Sequence, residues 1–78
     1  MSKTSHQERL SREEAADRLQ TLAQEIRSGE AAVQVGNKTV RLSPSEQVSY
    51  EIDVAEQSSF LRGSRESVEI ELEWKPEE

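Results

Sequence analysis

The sequence has no cysteine, only three glycines and two prolines, and a single copy each of Phe, Tyr, Trp and His. Without cysteine there is no disulfide framework, no zinc–thiolate site and no thiol nucleophile. That absence fits an intracellular protein, and the expected location is cytoplasmic. Gly36 and Gly63 stand alone, so no glycine-rich loop is available to cradle a phosphate. No apolar run is long enough to span a membrane, and the polar first residues lack the apolar core of a signal peptide. A membrane partner is therefore not expected. Aspartate is also scarce: among 16 acidic residues only Asp17 and Asp53 are not glutamate.

What the chain has is negative charge. Sixteen acidic against ten basic residues leave a net charge of −6. Counterion release drives nucleic-acid binding and needs a basic patch. Here Arg9, Arg12, Arg18, Arg27, Lys38 and Arg41 are scattered, and Arg62-Gly63-Ser64-Arg65 is the nearest approach to a cluster. No nucleic-acid partner is expected. At 78 residues the chain has room for one core. It divides into a polar segment (1–8), flexible or a short strand, a single domain (9–75) and a tail (76–78).

The first strong signal is a helix. Ser11 followed by Glu14 has the spacing of a capping box, in which hydroxyl and carboxylate each satisfy the other residue's backbone N–H. Glu13, Glu14 and Asp17 put negative charge where the helix dipole favours it. Ala15, Ala16, Leu19, Leu22, Ala23 and Ile26 then recur at the spacing of one helical face. Gly29 follows as the residue that ends the helix in a left-handed conformation.

After Gly29 the period changes to two. Ala31, Val33 and Val35 form one alternating run, and Val40 and Leu42 belong to the next. Gly36-Asn37 lies between them, a dipeptide suited to a tight hairpin turn. Ser43-Pro44-Ser45 interrupts the pattern, because proline donates nothing to a sheet ladder. Val48, Tyr50, Ile52 and Val54 then alternate with Ser49, Glu51, Asp53 and Ala55. Residues 56–65 (EQSSFLRGSR) break the alternation and read as a loop. Finally Val68, Ile70, Leu72 and Trp74 alternate with Ser67, Glu69, Glu71 and Glu73 up to Pro76.

A strand that is apolar on alternate residues must hide one face, and the helix stripe is the cover this chain offers. The expected fold is α+β: one amphipathic helix packed on a four- to five-stranded antiparallel sheet. The fifth strand depends on residues 6–10, whose alternation is weak. The predicted core is Leu19, Leu22, Ile26, Val33, Val35, Val40, Leu42, Val48, Tyr50, Ile52, Val54, Val68, Ile70, Leu72 and Trp74. One helix covers about 10 Å of sheet, whereas strands lie about 4.8 Å apart. Four or five strands leave apolar sheet uncovered, which is a reason to expect a homodimer or a partner helix.

The stretch Arg9-Leu10-Ser11-Arg12-Glu13-Glu14-Ala15-Ala16, the helix end at Ser28-Gly29, the hairpin and the closing Val68-Glu69-Ile70-Glu71-Leu72-Glu73-Trp74 resemble the amphi-Trp domain family. The similarity runs from about Arg9 to Trp74. It implies a small microbial α+β domain and brings no biochemical activity with it.

Candidate sites are few. His6 is the one histidine, and its sequence neighbourhood supplies no fixed partner for general-base work. Ser11, Ser28, Ser43, Ser45, Ser58 and Ser59 suit caps and turns better than a nucleophile elbow. The chain reads as a non-enzyme without cofactor or metal. Glu51, Asp53, Glu69, Glu71 and Glu73 share one expected strand face, a surface for a basic partner or simply a solvated face that deters aggregation. A tight calcium site is disfavoured, because carboxylates two apart on a strand lie about 6.8 Å apart. Phe60 and Trp74 are the aromatic candidates for an interface, although a Trp at the core phase of its strand, like Trp74, is more often simply core. The expected function is a protein-interaction or self-association module. The alternative is a small-molecule-binding domain using a cleft between helix and sheet.

Overall fold

Ser11 starts the helix as its neighbours dictate. Its Oγ accepts the Glu14 N–H at 3.1 Å, and Glu14 Oε1 accepts the Ser11 N–H at 3.1 Å. From there α1 runs Arg12–Ser28 and closes at Gly29, whose φ of 81° is the left-handed conformation glycine adopts without steric cost. The computed structural model describes residues 2–61 and 63–76. The outermost residues of the expected tail, Glu77 and Glu78, lie outside that range.

Four strands follow: β1 (Ala31–Val35), β2 (Lys38–Leu42), β3 (Ser49–Ser59) and β4 (Gly63–Glu73). β1 and β2 pair antiparallel, with Val35 opposite Lys38 across Gly36-Asn37. Gly36 takes φ 64° while Asn37 keeps a negative φ, which suits a turn needing positive φ only at its first central residue. β3 and β4 pair antiparallel over their whole length, from Ser49 opposite Glu73 to Ser59 opposite Gly63.

The α+β class and the four antiparallel strands agree with the sequence reading, but the strands form two separate two-stranded sheets and not one. Residues 43–48 are the cause. Pro44 has no N–H to offer a ladder and is buried, and Ser45 Oγ donates to the Gln47 carbonyl at 2.7 Å in a tight local turn. β3 therefore leaves in a new direction instead of folding back beside β2.

The expected loop at 56–65 is likewise mostly strand. β3 continues to Ser59 and β4 begins at Gly63. Alternating hydrophobicity marks a strand only where one face is apolar, and here both faces are polar, so backbone pairing alone carries the extension. Residues 6–10 form no strand. They are held by side chains instead: Glu8 Oε2 accepts from His6 Nε2 and, at 3.5 Å, from Arg18 Nη1 on α1.

Among the described elements the helix packs on β1 alone. Glu25 Oε1 accepts the Ala32 N–H at 2.7 Å, fastening the last turns of α1 to the first hairpin. Ala31, 1% exposed, lies within this small core, around which Leu22, Ile26, Val33, Val35 and Val40 are half-buried. The rest of the predicted core does not close. Leu72 and Trp74 are half-buried, whereas Leu19, Leu42, Val48, Tyr50, Ile52, Val54, Val68 and Ile70 are exposed. No element of the described chain lies against the β3–β4 ribbon. The result is a body with an arm, 51 × 26 × 26 Å, with a radius of gyration of 15.2 Å. A compact domain of this length would have about 11.5 Å.

Candidate functional site

The β3–β4 ribbon carries most of the residues the sequence singles out, and its register sorts them onto two faces. Glu51 lies opposite Glu71, Asp53 opposite Glu69 and Ser49 opposite Glu73. Because cross-strand partners project together, these five carboxylates share one face, and all are exposed. Among the described residues no group of His, Asp or Glu is arranged to hold a metal ion. The geometry is an extended row of charge with no convergence on a point.

The other face is apolar. Tyr50 pairs with Leu72, Ile52 with Ile70 and Val54 with Val68, making three successive rows. Tyr50 is 62% exposed, Val54 68% and Val68 61%. The next row, Glu56 opposite Glu66, ends the apolar stretch. An open depression at that boundary is lined by Val54, Glu56, Glu66, Ser67 and Val68. It lies on the ribbon, away from the helix, so it is not a cleft between helix and sheet.

Phe60 and Leu61 occupy the ribbon's tip, and both are almost wholly exposed. Sequence reasoning singled out Phe60 but could not tell that it would stand at the end of an arm. Trp74 follows directly on β4 and is half-buried, at the ribbon's base. It closes the alternating strand that resembles the amphi-Trp pattern, and the Amphi-Trp domain family model matches residues 1–78. The chain belongs to the Amphi-Trp domain family. No curated protein and no solved structure matches it.

In this Amphi-Trp domain the candidates fall into separate groups. The carboxylate face, the apolar face and the tip belong to the ribbon; His6 belongs to the body. There His6 lies over the first hairpin's turn, and a Cβ added to Gly36 would meet its Nδ1 at 3.0 Å. The hydrogen bonds from His6 and then Arg18 hold the Glu8 carboxyl below its ordinary value of 4.5. His6 thus has a fixed neighbour that its sequence context did not reveal, but one that anchors a segment on an exposed surface. No helix of the described Amphi-Trp chain is long and apolar enough to cross a membrane. The alternation places Tyr50, Val54 and Val68 on one face, but does not reveal that no element of the described chain covers that face.

Proposed function

We propose that this protein is a non-enzymatic self-association module whose working surface is the apolar face of the β3–β4 ribbon, and that a second copy covers it. The observation that carries this reading is the exposure of Tyr50, Ile52, Val54, Val68 and Ile70 on a ribbon that touches no other element of the described chain. A two-stranded ribbon alone is marginal in water and needs a further layer over its apolar face. A second copy brings an equal face of the same chemistry, and the carboxylates of both copies stay in solvent on the outer faces.

The magnitudes fit a reversible dimer. Five side chains per copy are between 48% and 68% exposed. Covering each is worth about 1 kcal/mol, so two copies gain roughly 10 kcal/mol before costs. Association costs at least about 4 kcal/mol, leaving at most about 6, equivalent to a dissociation constant of tens of micromolar or weaker.

Light scattering after size exclusion, over a concentration series reaching the millimolar range, tests this at low and high salt. A dimer is expected that strengthens as salt rises, because salt screens the repulsion between chains of charge −6 while leaving apolar burial intact. A monomer at every concentration, or a dimer present only at low salt, would defeat the reading.

A further inference from the structure

We infer that the two copies pair antiparallel about the Ile52–Ile70 row, each seating its Tyr50 in the depression at the far end of the other's apolar face. This rests on the self-association reading and adds the register and the contact that fixes it.

The face contains a knob and a hollow at equal distances from its central row. Tyr50 stands two residues before Ile52, and Val54 two residues after it. On a strand each offset is about 6.8 Å. A two-fold axis lying in the interface, across the strands at the Ile52–Ile70 row, carries Tyr50 of each copy to the Val54–Val68 level of the other. The depression lined by Val54, Val68, Glu56 and Glu66 lies there. Its chemistry matches a phenol: valine side chains for the ring, and carboxylates one row further out to accept from the hydroxyl. One operation satisfies both copies, as an isologous interface requires.

The other face-to-face arrangement has its axis along the strands, so that the tips lie side by side. It stacks the Glu56–Glu66 row on the same row of the second copy, bringing four carboxylates into one layer. Like charges facing each other at the margin of an apolar interface oppose it. The antiparallel register sets those rows at opposite ends. It also carries the exposed Phe60, eight residues beyond Ile52, toward the base of the second copy's ribbon, next to which Val48 is exposed.

The absence of native cysteine makes a spin-label distance clean. Gln57 is exposed and projects on the carboxylate face, away from the proposed contact. In the labelled Gln57→Cys protein, at a concentration where light scattering shows a dimer, antiparallel pairing puts the labels about 35–40 Å apart, ten residue steps along the strands. A distance below about 25 Å, expected for ribbons stacked about 10 Å apart with tips together, would overturn the register and leave the self-association reading standing. A monomeric mass with no intermolecular coupling would overturn both. Tyr50→Ala is expected to raise the dissociation constant more than tenfold, and Tyr50→Phe only a few-fold, with the far-UV spectrum unchanged. An unaltered constant in Tyr50→Ala would remove the tyrosine from the interface.

Discussion

Glu51 and Glu71 lie directly opposite each other across β3 and β4, and the next pair along that face, Asp53 and Glu69, repeats the juxtaposition. Directly opposed like charges destabilise a strand pair, and opposite charges in the same places stabilise it. Glu71→Lys should therefore raise the ribbon's stability by about 0.5–1 kcal/mol. Urea unfolding followed by far-UV circular dichroism measures this. The gain should shrink when salt is raised to 0.5 M, because the face is fully in solvent.

Glu25 ties helix to strand through a single charged acceptor on the Ala32 N–H. Glu25→Ala leaves that part-buried donor without its partner and should cost about 1.5–3 kcal/mol. Glu25→Gln keeps an acceptor oxygen at the same reach and should cost less than half as much. Thermal melts of the two variants give the comparison, and equal losses would show that the bond does not hold the two elements together.

Acid should loosen the start of α1. The hydrogen bonds from Ser11 hold the Glu14 carboxyl below its ordinary value of 4.5. A depressed folded pKa means the folded state binds the proton less readily than the unfolded one. The contribution is therefore complete above the ordinary carboxylate range and disappears as pH falls through the folded pKa. Helix ellipticity should decline below about pH 4.5. The Ser11→Ala variant, about 1 kcal/mol less stable at neutral pH, should show a weaker acid dependence. A pH titration by circular dichroism separates the two proteins.

Gly36→Ala strains the first hairpin in two ways. The backbone is at φ 64°, and the new Cβ would meet the His6 ring at 3.0 Å. The ring belongs to an exposed side chain that can swing aside, whereas the left-handed backbone cost of about 1–2 kcal/mol remains. Gly36→Ala should therefore lose about that much stability. His6→Ala in the same background should recover little of it. Full recovery in the double variant would assign the loss to the ring contact instead.

Half of this architecture was legible in the sequence because its signals are local. The Ser11–Glu14 box, Gly29 and Gly36-Asn37 each act through their own neighbours, and each is found where its spacing placed it. The alternation of 48–55 and 67–74 correctly assigned the two faces of the ribbon, so the five carboxylates do share a surface. What local pattern does not encode is the long-range partner. An apolar row announces that something covers it without naming the cover, so Ile52 and Ile70 read as core while, among the described elements, the helix lies against β1 only. The tip was illegible for the opposite reason: Ser58 and Ser64 pair through the backbone, which leaves no side-chain period to read.

Among the described residues, every contact between elements joins neighbours in the chain: α1 with β1, β1 with β2, β3 with β4. Such a topology has little loop-closure entropy to overcome, so each unit can form on the timescale of a helix or hairpin, within microseconds. During synthesis the chain emerges at only about 5–20 residues per second. The helix and first hairpin can thus be complete while the ribbon is still being made. The ribbon's apolar rows thus emerge when the helix and first hairpin are already folded, so those earlier elements offer them no unfinished apolar surface.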